Sequence, residues 1–132
     1  MTDTPKFPAR MAARIELWPI DKVLPYAGNP RAHPEEQILR ICRSIQTFGF
    51  LNPILLDRSS GVMLGGHGRL EAAQRLGFEA VPVVPVEHLT PAERRAYVIA
   101  DNRLAELSTW DEAKLRSELA QISAALPQIP EL

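Results

Sequence analysis

The sequence has little of three things: cysteine, net charge and long apolar runs. Cys42 is the one cysteine, and no Cys/His cluster has zinc-ligand spacing, which excludes an internal disulfide and a structural zinc site. Fifteen Lys+Arg against sixteen Asp+Glu give a formal net charge of −1, which removes any bulk electrostatic argument for tight nucleic-acid or membrane-surface binding. The longest apolar run, residues 80–86, is far shorter than the roughly 20 residues of a membrane span. We therefore expect a cytoplasmic protein without a membrane partner.

The length of 132 residues suits one domain. Residues 1–12 lack periodicity and are interpreted as a flexible N-terminal tail. The domain is expected over residues 13–126, followed by a frayed C-terminus or linker over residues 127–132.

The first half of the domain predicts a strand, a loop and a helix. Ile15 and Leu17 alternate with other residue types over residues 13–18, which is typical of a strand with one buried face. Prolines and a glycine make residues 24–31 a connecting loop. Pro34 then opens a helix that Gly49 ends.

The second half predicts a hairpin, another strand and three helices. Residues 54–57 and 62–64 form the hairpin, and residues 69–76 form a short helix. Residues 80–86 form a strand whose two prolines favour an edge or bulged position. A capping box at residues 90–93 and a similar signature at residues 108–111 begin two C-terminal helices, the last with an apolar stripe at Leu115, Leu119, Ile122 and Leu126. The expected fold class is α/β (α+β), a small mixed β-sheet packed with helices.

The segment most informative about function is the glycine-rich turn Gly65, Gly66, His67, Gly68 and Arg69. Glycines between a strand and a helix allow positive φ, and the free N–H groups at the helix start favour anions. A cation in the first turn opposes the helix dipole, so an anionic ligand would explain Arg69. The alternative is a tight structural turn with a solvated arginine and with His67 as a turn residue.

Two further segments carry candidate ligand-binding groups. Arg31 offers a planar donor fork beside a second helix N-terminus, although loop arginines are more often structural. Asp101, Asn102 and Arg103 could help hold a metal-bound phosphate, or form solvated helix surface. We expect Arg31, the glycine-rich turn and residues 101–102 to converge on one pocket; otherwise each arginine should pair with a nearby carboxylate such as Glu35 or Glu71.

The order of the segments resembles the ParB/sulfiredoxin superfamily over about residues 13–112. The resemblance rests on residues 20–26, 29–31, 44–45 and 48–54, and on Gly66-His67-Gly68-Arg69 with Ala72-Ala73. It implies binding and slow hydrolysis of CTP with magnesium. The Gly-x-x-Arg-x-x-Ala motif is met by Gly66, Arg69 and Ala72, the pocket pair by Pro30 and Arg31, and part of a third-helix motif by Asp101-Asn102-Arg103.

The sequence also departs from the family patterns. Gly66-His67-Gly68-Arg69 replaces Gly-Glu-Arg-Arg, which leaves both the nucleotide and its hydrolysis open. The catalytic cysteine of sulfiredoxin would fall at His67, which argues against sulfinic-acid reductase activity. This version, with residues 99–107, most resembles ParB-like domains that precede phage or prophage DNA methyltransferases, and no methyltransferase motif occurs here.

The expected function is that of a magnesium-dependent nucleotide switch (CTP or ATP), associated with DNA modification or segregation. The expected nucleotide-binding residues are Arg31, Gly65, Gly66, His67, Gly68, Arg69, Asn102 and Arg103, with Asp101 at the metal. DNA would be reached indirectly or through another domain, and homodimerisation and slow NTPase activity stay open. The alternatives are a nuclease, a serine-type small-molecule kinase and a non-catalytic interaction module.

Overall fold

The computed structural model describes residues 10–126. The expected C-terminal segment 127–132 and most of the expected N-terminal tail lie outside the described residues. Residues 10–12 have no regular secondary structure.

The chain folds as a mixed α/β domain, which confirms the expected fold class. The elements are β1 (Glu16–Pro19), a 3-10 turn (Ile20–Lys22), α1 (Glu35–Phe48), β2 (Ile54–Asp57), β3 (Met63–Gly65), α2 (His67–Arg75), β4 (Ala80–Val86), α3 (Pro91–Leu107) and α4 (Glu112–Ala125). None of these helices is long and apolar enough to cross a membrane.

The four strands form one mixed sheet in the order β1-β4-β2-β3. β1 is antiparallel to β4, β4 is parallel to β2, and β2 pairs with β3 as the expected antiparallel hairpin. Ile54, Leu56, Val81 and Val83 are fully buried in the main core together with Leu70 of α2. This packing fixes the start of α2 against the ends of β2 and β3.

The expectation of an edge position for residues 80–86 is wrong, because β4 lies between β1 and β2. Its proline at position 82 pairs with β1, and its proline at position 85 pairs with β2. Only Val83 is paired on both sides. Each proline therefore lies where β4 has a neighbour on one side, and its missing N–H costs no ladder hydrogen bond.

The expected buried face of the first strand is also wrong. Leu17 is 74% exposed, whereas Trp18 packs against the main core. Glu16 shares the side of Trp18, accepts a hydrogen bond from the indole and forms an ion pair with Arg58 at 2.5 Å. An indole ring buries more apolar area than a leucine side chain, and the charge of Glu16 is paired with Arg58. β1 is therefore more stable with the side of Trp18 toward the core than with the side of Leu17 toward it.

The helix boundaries follow local capping signals. Pro34 precedes α1, and Gly49 ends it with φ +92°. The capping box at Thr90 and Glu93 is formed as expected. α2 begins at His67, two residues before the expected start, because Gly66 takes the left-handed conformation that lets the helix start early. α4 begins at Glu112 with Asp111 as its N-cap, three residues after the start expected from the signature at residues 108–111, because Ser108 ends α3. None of its residues is buried, so its apolar stripe does not join the core.

Candidate functional site

A cavity of about 500 Å³ lies between the start of α1, the start of α2 and one face of α3. It is lined by eight of the nine residues that the sequence singled out: Arg31, Gly65, Gly66, His67, Gly68, Arg69, Asp101 and Asn102. The expected convergence of the three segments is confirmed. Whether these residues bind a nucleotide stays a prediction.

The glycine-rich turn gives the cavity the backbone of a helix N-terminus. Gly66 precedes α2 with φ +96° and ψ 21°, a left-handed conformation, and supplies no side chain to cap the helix. A positive φ at Gly66 or Gly68 was expected and is confirmed. A Cβ added at Gly68 would lie 2.8 Å from Cδ1 of Ile41. The first glycine therefore makes the turn, and the second lets α2 approach α1 closely.

Arg69 is a half-buried cation with an incomplete set of partners. Its Nη2 donates to the carbonyl of Pro53 at 3.1 Å, while its Nε is buried and has no hydrogen-bond partner among the described residues. Burial lowers the pKa of Arg69, and the charge of Asp101 partly opposes that effect. Within residues 10–126 no carboxylate forms an ion pair with Arg69. The guanidinium is thus held inside the cavity in a form that an anion would stabilise.

Arg31 lies on the opposite wall and is held by amide side chains. Its Nη1 donates to Oδ1 of Asn102 at 3.4 Å, and its backbone N–H donates to Oδ1 of Asn29 at 3.2 Å. Asn102 in turn donates to the carbonyl of Val98 at 2.8 Å. This chain of hydrogen bonds connects the loop before α1 with α3.

The carboxylates expected to neutralise these arginines are used elsewhere. Glu35 and Glu71 both pair with Arg75, near the end of α2 and outside the cavity lining. The structural reading of the two arginines, in which Arg31 and Arg69 pair with these carboxylates, is therefore wrong.

His67 is the first residue of α2, and its ring lines the cavity. Its Nε2 accepts a hydrogen bond from the backbone N–H of Tyr26 at 3.1 Å. Burial lowers the pKa of His67, and the proximity of His33 lowers it further. Because Nε2 accepts the N–H of Tyr26, that nitrogen carries no proton in this contact, which agrees with the reading of His67 as a residue that holds the turn.

Asp101 is the acidic residue of the cavity. Burial raises the pKa of the Tyr97 phenol, and the nearby charge of Asp101 raises it further. Within the described residues there is no group of three His, Cys, Asp or Glu side chains that could hold a metal. Magnesium bound with a nucleotide commonly uses one or two carboxylates together with phosphate oxygens and water, and Asp101 fits that smaller role.

Arg103 is the singled-out residue that the structure does not bring to the cavity. It is exposed and pairs with Glu106 at 3.3 Å. Each helical residue turns by about 100°, so Arg103 lies about 200° around α3 from Asp101 and points away from the cavity. This part of the motif-based expectation is not supported by the geometry.

Sequence reasoning missed the apolar part of the cavity lining, to which Leu55, Leu64, Val84, Tyr97 and Val98 contribute. A signal for part of it was present, because Tyr97 and Val98 precede Asp101 and Asn102 by one helical turn. His33 and Gln37 also line the cavity, with Nδ1 of His33 2.9 Å from Oε1 of Gln37.

Comparisons with known proteins agree with this architecture. Residues 9–103 match the ParB N-terminal domain. The chain is 39% identical over 82 residues to the ParB-like nuclease domain-containing protein YnaK of Escherichia coli (strain K12), over 62% of this chain and 93% of that protein. It is 28% identical over 116 residues to a nucleoid occlusion protein of Lysinibacillus sphaericus (strain C3-41), over 84% of this chain and 39% of that protein.

Solved structures show the same fold. The C-terminally truncated chromosome-partitioning protein ParB from Caulobacter crescentus, complexed with CTP-gamma-S, has a TM-score of 0.71 at 24% identity, over 84% of this chain and 63% of that chain. Sulfiredoxin from Arabidopsis thaliana has a TM-score of 0.54 at 19% identity, over 65% of this chain and 98% of that chain.

The fold and the family match define a domain of the ParB/sulfiredoxin class. Within that class, the chain belongs to the ParB N-terminal domain family. It spans 39% of the length of the nucleoid occlusion relative and 63% of the ParB structure.

Proposed function

We propose that the cavity binds the phosphates of a nucleoside triphosphate, CTP or ATP, together with magnesium. The observation that carries this proposal is the pair Arg31 and Arg69, which face one cavity and have no carboxylate partner among residues 10–126. Two guanidinium groups beside a helix N-terminus form an arrangement that favours a polyphosphate.

The cavity also has a place for the uncharged part of a nucleotide. About 500 Å³ is within the range of small-molecule sites. The lining combines the apolar side chains of Leu55, Val84 and Val98 with the guanidinium groups of Arg31 and Arg69. A ligand with a planar ring and several phosphates would use both kinds of side chain, whereas inorganic phosphate would use only the charged ones.

Different residues of the cavity would bind the phosphates and the magnesium ion. The N–H groups of the turn after Gly66, with Arg69, would hold phosphate oxygens, and Arg31 would close over them from its loop. Asp101 would hold the magnesium ion, which supplies charge neutralisation between phosphates. Because Asp101 is the single carboxylate that residues 10–126 contribute to the cavity lining, we propose a binding switch with slow hydrolysis.

A ligand screen tests the proposal directly. Thermal shift and titration calorimetry with CTP, ATP, GTP and their diphosphates, each with and without magnesium, should show one triphosphate that raises Tm in the presence of magnesium. If none of these nucleotides binds, the cavity is not a nucleotide site and the interaction-module reading replaces it.

Two neighbouring arginines provide a matched pair of variants. Arg31→Ala should weaken binding of the selected triphosphate by roughly tenfold or more, because a charge-assisted contact is lost. Arg103→Ala should leave it unchanged, since Arg103 lies outside the cavity. Equal losses in both variants would favour the motif-based reading, with Arg103 as a phosphate ligand, over the cavity geometry.

We also propose that this domain is a cytoplasmic module that acts on DNA through another domain, with a DNA methyltransferase as the expected partner. Family membership and the Gly66-His67-Gly68-Arg69 version of the turn support this setting. The net charge of −1 argues against tight DNA binding by the domain itself. Filter binding of duplex DNA to this chain should therefore be weak at physiological salt, and tight binding would contradict the proposal.

A homodimer is the proposed assembly. On α3, Ile99, Leu104 and Leu107 are 55%, 67% and 70% exposed, and α4 has an apolar stripe that joins no core. A second copy can place the stripe of one chain against α3 of the other, which would cover both surfaces. Light scattering should show a dimer, with or without nucleotide, that Leu107→Glu dissociates; a monomer under both conditions would rule it out.

A further inference from the structure

The loop that carries Arg31 is tied to the rest of the domain along its length. The backbone of Leu24 bonds to Gly61 and Met63, at 2.9 and 2.8 Å. The N–H of Tyr26 donates to Nε2 of His67 at 3.1 Å. Of these ties, the one at Tyr26 connects the loop directly to the glycine-rich turn.

The contact with Tyr26 decides which nitrogen of His67 carries the proton. A backbone N–H can donate only to an unprotonated ring nitrogen, so Nε2 is bare and the proton of the neutral ring lies on Nδ1. Protonation of Nε2 would place two donors opposite each other. The hydrogen bond to Tyr26 therefore exists only with the neutral ring.

We propose that His67 is a positioning residue of the phosphate cavity: by accepting the N–H of Tyr26, its neutral ring holds the Arg31 loop in place against the start of α2. This inference rests on the proposed nucleotide site and assigns His67 a role that acts through Arg31. His67 thereby makes the position of one guanidinium depend on the protonation state of a histidine.

The surroundings of His67 favour the neutral ring. His33 faces it from the residues before α1, Arg69 lies on α2 itself, and Arg31 lies on the loop across the cavity. Asp101 on α3 is the one acidic group of the lining, and Arg69 is close enough to feel its charge. With cationic groups in excess, the loop contact should persist at neutral pH and be lost on acidification.

The test uses two substitutions of His67: one keeps a hydrogen-bond acceptor near the position of Nε2, and the other does not. His67→Gln has the length to place an acceptor near the position of Nε2, and it does not titrate. His67→Asn is one carbon shorter, so it keeps an amide at the start of α2 but does not reach Tyr26. Circular dichroism and Tm would establish that both variants are folded.

The first measurement needs no ligand. In NMR experiments on the free chain, the Tyr26 amide should exchange at least tenfold faster in His67→Asn than in the native protein, and His67→Gln should restore much of the protection. Ring nitrogen shifts should show the Nδ1–H form. Acidification should release the Tyr26 amide in the native protein and not in His67→Gln.

The second measurement is calorimetry with CTP and magnesium chloride. His67→Asn should bind about tenfold more weakly, and His67→Gln should recover most of that loss. Equal Tyr26 exchange in all three proteins would overturn the proposal, as would unchanged CTP affinity in His67→Asn despite a released amide. Should the native chain bind no nucleotide, the proposed function fails, while the amide measurement still decides whether His67 holds the loop.

Discussion

Replacing Arg69 by methionine should weaken ligand binding strongly with little effect on the stability of the free protein. Methionine keeps an unbranched apolar stem of similar length and removes the charge. In the structure the guanidinium is half-buried, donates to the carbonyl of Pro53 and has a buried Nε without a partner. It therefore contributes less to the stability of the free chain than a fully paired arginine would.

The expected magnitudes follow from these contacts. Loss of the hydrogen bond to Pro53 should lower the free energy of unfolding by about 1–2 kcal/mol. Removal of the buried Nε, which has no hydrogen-bond partner among residues 10–126, should raise it by a similar amount. The two effects leave a net change in the free energy of unfolding within about 1 kcal/mol. Binding of the triphosphate loses a charge-assisted contact of about 1.5–3 kcal/mol, which is roughly a tenfold to 150-fold weaker affinity.

Urea unfolding and calorimetry measure the two quantities separately. Arg75→Met is the matched control on the same helix, because Arg75 pairs with Glu35 and Glu71 outside the cavity. That variant should keep native affinity and show a slightly lower Tm. Two results would refute the reasoning: native affinity in Arg69→Met, or a loss of several kcal/mol in its free energy of unfolding, which would make the guanidinium structural.

Three other predictions concern stability. Gly66→Ala should lower the free energy of unfolding by about 1–2 kcal/mol, because an alanine there must adopt a left-handed φ. Gly77→Ala, with positive φ and open space around it, is the control in urea unfolding and isolates this backbone cost; Gly66→Ala should lose at least as much, since its Cβ would also lie 3.2 Å from Ile54. Asp57 is 3% exposed and accepts hydrogen bonds from Ser59 and Ser60, so Asp57→Ala should cost roughly 2–3 kcal/mol in the same assay. The lowered pKa of His67, caused first by burial, means that the unfolded chain binds more protons below about pH 6.5. Stability should therefore fall as pH drops through that value, less steeply in His67→Gln; identical slopes would contradict this.

Local signals were enough to predict most helices and strands. Pro34 and Gly49 bound α1, and Thr90 with Glu93 begins α3, because capping depends on a few neighbouring residues. The bounds of β4 were predicted from the apolar run over residues 80–86. Its interior position was not, since the offset between β1 and β2 that accommodates two prolines is a property of the whole sheet.

The sequence predicted those parts of the site in which a residue type has one characteristic chemical role. Glycine at position 66 and arginine at position 69 indicated an anion site, and the structure brings both to the cavity. The ion-pair partners of Glu35 and Glu71 were not predictable, because each of these glutamates has more than one arginine close to it in the sequence. The tie between Tyr26 and His67 was also hidden, since it joins residues 41 positions apart through a backbone group.

The distribution of charge explains how a nearly neutral chain can form an anion site. Arg75 forms ion pairs with Glu35 and Glu71, so these carboxylates do not neutralise the cavity. The charged residues of its lining are Arg31, Arg69 and Asp101. The local excess is confined to a concave site instead of spread over a surface. Such a site favours a compact polyanion that enters the cavity, whereas a DNA backbone needs positive charge along an extended face. The proposed affinity for a triphosphate and the expected weak affinity for DNA therefore both follow from positive charge that is confined to one cavity.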